Sequence, residues 1–181
     1  MNAIDVNSLT KKFGSSKAVD NISFTVEEGE IFGFLGPNGA GKSTTMMILT
    51  TLLKPTSGEA LVGGYNVVSE AKKVREKIGF VQQEISVDEF LTGRENLYLH
   101  ARINQIPRNL IKSRIDDVLE LVELGEKQDD ATLTYSGGMR KRLDIANGLL
   151  SRPAVLFLDE PTVGLDIQTR RKIWGLSLIH I

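Results

Sequence analysis

Three short strings carry the residue types that handle phosphate and metal. GPNGAGKST, at 36–44, fits the spacing G-x-x-x-x-G-K-[ST]. In that pattern glycines let backbone N–H groups close around a triphosphate, the lysine reaches the outer phosphates and the hydroxyl meets Mg²⁺. AVLFLDEP, at 154–161, runs an apolar stretch into two adjacent carboxylates, Asp159 and Glu160. Such a pair sets one acid beside a metal and the other beside an attacking water. Between them SGGM, at 136–139, opens with a hydroxyl and two bare glycines and is followed by Arg140, Lys141 and Arg142. Cations at a helix start oppose the macrodipole, so this string reads as a helix start that awaits an anion.

Each string needs a scaffold, and the hydrophobic pattern supplies one. The apolar run 31–35 is predicted as a strand that leads into the phosphate loop, with a helix over 42–53 behind it. Met46, Met47, Ile48, Leu49, Leu52 and Leu53 cover most of that helix, which suits a buried crossover. Residues 155–158 are continuously apolar, as a parallel strand buried on both faces should be. Asp159 and Glu160 then fall at its carboxyl end, where open α/β sheets bind ligands, and Pro161 ends it. Further strands are expected at 3–9, 19–26, 59–62 and 78–82, with a turn at 54–58 and a charged helix near 69–77.

After Gln83 the pattern turns helical. Thr92-Gly93-Arg94-Glu95 is a capping box. A helix follows Pro107 with Ile111, Ile115, Val118 and Val122 on one face and Gly125 as its stop. Another starts near Gly137 with Met139, Leu143, Ala146 and Leu150 at helical spacing. The expected fold is α/β: a mostly parallel sheet with an antiparallel N-terminal portion, built from 1–84 and 151–174, and an α-helical insertion over 85–150.

The 181 residues carry a net charge of −1, with no basic field to draw nucleic acid, and no cysteine for disulfides or thiol chemistry. No apolar stretch approaches the roughly 18 residues that cross a bilayer. The opening MNAIDVNSL is not a basic-then-apolar leader. His100 lacks a partner at metal-ligand spacing and reads as a packing or surface residue; Lys72, Lys73 and Arg75, like Arg170, Arg171 and Lys172, read as solvated helix faces.

Taken in this order, the three strings resemble the ATP-binding subunit of an ABC transporter, with a P-loop NTPase core, over about Ile4 to Trp174. SVDEFLTGRENLYLHARI and TYSGGMRKRLDIANGLL resemble the daunorubicin-resistance or multidrug exporter type, which implies export of a drug, antibiotic or lipid. The resemblance implies ATP and Mg²⁺. Gly36, Pro37, Asn38, Gly39, Ala40, Gly41, Lys42, Ser43 and Thr44 would cradle the phosphates, with Lys42 on the β- and γ-groups. Ser43, Gln83 and Asp159 would hold Mg²⁺, and Glu160 would polarise the attacking water, which Gln83 also contacts. Phe13 would stack on adenine. Ser136, Gly137 and Gly138 would cap the γ-phosphate of a second subunit's ATP, and Asp166 would lie in a loop at that dimer interface. Tyr135 stands where the family most often has leucine.

The partners so implied are a homodimer mate or paired ATP-binding subunit, and a membrane-spanning transporter subunit. A cytoplasmic helix of the latter would dock on 84–92, through Ile85, Val87, Phe90 and Leu91. The chain is accordingly expected to be cytoplasmic and peripheral on the inner face of the cell membrane. The family continues past this match with a further strand and a histidine at the γ-phosphate. His180 comes too early to be that residue, and 175–181 do not continue the pattern, so they read as a non-native tail on a truncated chain with poor turnover of its own. Other readings are a soluble ABC ATPase acting on ribosomes or DNA, or a nucleotide-binding module without turnover. The first usually brings a second cassette, a coiled coil or a basic surface, none of which is visible. A P-loop kinase or GTPase has no use for the SGGM helix.

Overall fold

In a computed structural model, which describes residues 2–159, the chain opens with a long hairpin. Strands β1 (Asn2–Phe13) and β2 (Ser16–Glu27) pair antiparallel from Asn2↔Glu27 to Phe13↔Ser16. Along β1, Ile4 and Val6 face inward, and the next buried apolar residue is Leu9 rather than residue 8. Ser8, at φ 50°, takes up the extra residue as a bulge and resets the alternation. Strand β3 (Ser57–Val62) pairs antiparallel on the other side of β1 and gives way at this bulge. A Cβ on Gly58 would lie 2.3 Å from the Ser8 carbonyl oxygen, so only glycine fits there. The short β4 (Tyr65–Asn66) completes a sheet in the order β2-β1-β3-β4.

Helices α1 (Lys42–Leu49) and α2 (Ala71–Lys77) belong to the same unit, residues 2–78. Ile48, Leu49 and Val74 join Val6, Leu9, Ala60 and Val62 as its buried residues. Helix α1 is shorter than its apolar pattern predicts. Thr51 turns left-handed at φ 67°, its N–H bonds to the Ile48 carbonyl, and that of Leu52 bonds to Met47. This is a Schellman stop without glycine, and it leaves Met47 and Leu52 exposed.

The expected strand at 31–35 has no sheet partner among the described residues. Its rings pack instead: Phe32 stacks on Phe24 of β2 at 5.3 Å between centroids, and Phe34 lies 5.6 Å from Phe24. Leu35 is 92% exposed. An apolar run signals burial, but it becomes a strand only where a neighbour supplies backbone hydrogen bonds.

The second unit, residues 79–159, joins a parallel pair of strands to three helices. Strands β5 (Ile78–Val81) and β6 (Val155–Leu158) form a two-stranded sheet, and the Asp159 N–H donates to the Val81 carbonyl at 2.9 Å. Their carboxyl ends therefore lie side by side. Helices α3 (Gly93–Ile103), α4 (Arg108–Leu121) and α5 (Gly137–Leu149) enclose a core of Leu97, Ile115, Leu119, Leu143 and Ile145 with Val81. The capping box of α3 forms as the sequence predicts: Thr92 Oγ1 accepts from the Glu95 N–H and the Glu95 carboxylate from the Thr92 N–H. Helix α4 buries Ile111, Ile115 and Val118. It stops before Gly125, because Glu123 adopts φ 54° and the Leu124 N–H closes on the Leu119 carbonyl. With an α/β architecture, an antiparallel N-terminal sheet, a parallel pair and a helical segment, the fold class is the one expected.

Candidate functional site

The phosphate-loop string sits in the first unit, between the aromatic segment and α1. Gly39 and Gly41 have φ 81° and 88°, a region that side chains rarely enter. Gly41 is constrained twice, because a Cβ there would come within 2.1 Å of the Ala18 carbonyl oxygen on β2. The loop is thereby pressed against the start of β2, where Ser16 pairs with Phe13. Phe13 and the loop thus meet the same end of β2. Phe13 is 53% exposed, with the Lys11 ammonium 5.0 Å from its ring centroid.

Helix α1 begins at Lys42 with no side-chain cap and no acidic residue in its first turn. Its first amides and its positive dipole end are therefore left to a ligand. Lys42 Nζ folds back to donate to the carbonyls of Gly36, at 2.7 Å, and Pro37, at 3.0 Å. An ammonium has three protons, so one remains for an oxygen brought from outside. The Ser43 hydroxyl makes no hydrogen bond among the described residues and is exposed. This donor set, all cationic or N–H and O–H in an exposed mouth, fits the phosphates of ATP, and the Ser43 oxygen suits a hard cation such as Mg²⁺.

In the second unit, Gln83 and Asp159 emerge at one edge. Gln83 follows β5 by two residues and Asp159 follows β6, which the Val81–Asp159 hydrogen bond ties together. Two oxygen ligands at the carboxyl edge of neighbouring parallel strands suit Mg²⁺ again. Glu160 and Asp166 lie outside the described residues.

Ser136 is the N-cap of α5, its Oγ accepting from the Met139 N–H at 3.2 Å. Its own proton and the Gly137 and Gly138 N–H groups are left to donate. The three cations that follow do not await an anion, which corrects the expectation from their place at a helix start. Arg140 pairs with Glu89, Lys141 with Asp144, and Arg142 donates to the Val122 carbonyl at 2.7 Å and lies 3.7 Å from the Glu123 carboxylate. Each turns into its own unit, so whatever anion affinity this helix start has comes from Ser136 and the two glycines. Tyr135, just ahead, is buried; its hydroxyl donates to the Lys127 carbonyl, and Gly93 leaves room for it. Burial pushes its phenol above the usual tyrosine range, with Asp130 and Asp129 adding to the shift.

The profile of the family described as ABC transporter matches residues 19–163, a span that takes in the loop, the SGGM helix and the carboxylate strand. The chain belongs to the ABC transporter family. Among its ABC transporter relatives is the doxorubicin resistance ATP-binding protein DrrA of Mycobacterium tuberculosis, 46% identical over 176 residues, covering 96% of this chain and 53% of DrrA. The chain spans about half the length of the curated relatives it matches. Two solved ABC structures share its fold. One is cbiO1 from Clostridium perfringens, described as part of the ABC transporter complex cbiONQ, with TM-score 0.89, 30% identity, 98% of this chain and 73% of that one. The other is the dimeric ATP-binding cassette MJ0796 bound to ADP and Pi in a post-hydrolysis state, with TM-score 0.80, 31% identity, 96% and 80%.

Two residues that brace the segment before α3 are not evident from sequence motifs. Asn96, 1% exposed, donates to the Asp88 and Thr92 carbonyls and accepts from the Asp88 N–H. The Thr132 hydroxyl donates to the Asp88 carbonyl at 2.7 Å. Together they hold the segment that precedes α3. Asn96 gives one signal in the sequence, a polar residue beside Leu97 and Ala101 on the buried face of α3; Thr132, in a short turn, gives none.

Proposed function

We propose that this chain is the ATP-binding and ATP-hydrolysing part of an ABC exporter of a drug, antibiotic or lipid, with ATP as substrate and Mg²⁺ as cofactor. The observation that carries the reading is the open N-terminus of α1, where Gly41, the uncapped amides and the Lys42 ammonium converge on one exposed mouth. Lys42 shifts from the Gly36 and Pro37 carbonyls to phosphate oxygens as ATP enters, and Phe13 offers its exposed ring to adenine. Ser43, Gln83 and Asp159 are the residues for Mg²⁺, which supplies charge neutralisation at the transferring phosphate. Glu160 orients the attacking water. Ser136, Gly137 and Gly138 donate to the ATP of a second ATP-binding subunit, with Asp166 at that interface.

No helix among the described residues is long and apolar enough to cross a membrane. In this reading the chain works on the cytoplasmic face, against a separate membrane-spanning subunit. The names of its relatives support this reading: DrrA is a doxorubicin resistance ATP-binding protein, LnrL, 42% identical, a linearmycin resistance ATP-binding protein, and ABCA3, 41% identical, a phospholipid-transporting ATPase.

Lys42→Ala tests the proposal. Charge-assisted hydrogen bonds contribute about 1.5–3 kcal/mol each, so the folded variant should bind Mg-ATP about ten- to a hundredfold more weakly, with less effect on AMP. Equal ATP affinity by calorimetry would end the phosphate-loop reading.

A further inference from the structure

One buried ion pair on α5 grips the segment that carries Gln83. Lys141 and Asp144 have side chains 4% and 3% exposed, with Nζ and Oδ2 3.3 Å apart. Lys141 Nζ also donates to the Gln82 carbonyl at 2.6 Å. Asp144 Oδ1 accepts from the Ser86 N–H at 3.2 Å and from its hydroxyl at 2.8 Å. Both ends of the five-residue stretch 82–86 are thus tied to one turn of α5, with Gln83 between the ties.

Packing alone does not call for this arrangement. Leu143 and Ile145 on the same helix are buried, and apolar residues at 141 and 144 would avoid taking two charges out of water. The charges are satisfied only because the 82–86 backbone completes their hydrogen bonds, which makes that backbone's position a condition of burying them. We propose that Lys141 and Asp144 are positioning residues that fix Gln83 relative to α5, the helix that Ser136 begins. A displacement of α5, such as engagement of Ser136 by a partner's nucleotide, then moves Gln83 with it. The clamp stands on the geometry; its catalytic consequence rests on the ATPase reading above.

The test compares the wild-type protein with Lys141→Met/Asp144→Leu, which removes both charges together and so avoids stranding one. Three quantities are read: hydrogen exchange of the Ser86 amide without nucleotide, Mg-ATP affinity, and phosphate release. Groups that orient a metal ligand are worth about 10–100-fold in activity. The folded double variant should exchange Ser86 at least about tenfold faster and turn over about 10–100-fold more slowly, with affinity kept within about threefold. Lys141→Arg should recover most of the turnover. If the double variant does not fold, Lys141→Gln/Asp144→Val, which also strands no charge and removes the acceptor for the Ser86 N–H, is read in the same way. Unchanged Ser86 exchange in a folded variant overturns the clamp. Fast exchange with unchanged turnover overturns the positioning role. A wild-type protein that releases no phosphate overturns the ATPase reading, while the exchange measurement still decides the clamp.

Discussion

Gly79 and Gly148 bring β5 and α5 into backbone contact: a Cβ on Gly79 would lie 2.3 Å from the Gly148 carbonyl oxygen. A Cβ on Gly148 would meet Val81 Cγ2 at 2.8 Å and Leu156 Cδ1 at 3.2 Å. At Gly79 no side chain separates β5 from α5, the helix that Ser136 begins. Gly79→Ala must push backbone against backbone, and such overpacking costs about 1–3 kcal/mol. Gly125→Ala has open space around it and should stay within about 0.5 kcal/mol. Urea melts of both variants check the contrast; equal stabilities would show that α5 and β5 are free to part.

The capping box at α3 should give part of the stability an acid limit. Hydrogen bonds from the Thr92 N–H, then its hydroxyl, hold the Glu95 carboxyl below its usual range. A carboxyl lowered by folding contributes stability that is present above its unfolded pKa and is lost as pH falls through the lower, folded one. Thr92→Ala should cost about 1 kcal/mol at neutral pH and flatten that acid-side loss. Melts of wild type and variant at neutral and acid pH measure it, and an undiminished acid dependence would count against the box.

Beyond capping α5, Ser136 is expected to act on the nucleotide of a second subunit. Glu160→Gln should bind ATP without turning it over and accumulate a nucleotide-bound dimer. Adding Ser136→Arg should remove the dimer while leaving ATP binding by the monomer nearly intact. Because Arg140, Lys141 and Arg142 are already paired, Arg140→Gln should weaken the dimer far less than Ser136→Arg does. Sedimentation in ATP distinguishes these outcomes, and persistence of the dimer in the Ser136→Arg variant would refute a shared site.

Phe90 is 87% exposed on a segment braced by Asn96, Thr132 and the Arg140–Glu89 pair. Of its apolar neighbours, Val87 packs on the helical core and Leu91 is half-buried, so Phe90 and Ile85 remain as the outward pair. Phe90→Asp should leave ATP binding alone and reduce transport with the membrane subunit. Unchanged transport would place that subunit elsewhere.

Elements with strictly local causes are legible in the sequence by itself. The Thr92–Glu95 box, the α4 face and the bounds of β6 at Val155–Leu158 follow from spacing within a few residues. The phosphate loop is legible for the same reason, since nine consecutive residues carry glycines, lysine and hydroxyls together. The stops of α1 and α4 are not, because Thr51 and Glu123 turn left-handed where the sequence offers no glycine. Residues 31–35 show the limit from the other side: their composition asks for burial, but only a neighbouring strand can pair their backbone. The same holds for charge. Along the sequence Arg140, Lys141 and Arg142 form a positive run with only Asp144 at helical pairing distance, whereas Glu89, Gln82 and the end of α4 reach them only through the fold. Pattern along a chain determines which groups can do chemistry. Which of them are still free to do it depends on partners as many as 59 residues away in sequence, such as Gln82 for Lys141, and a one-dimensional pattern has no distance with which to find them.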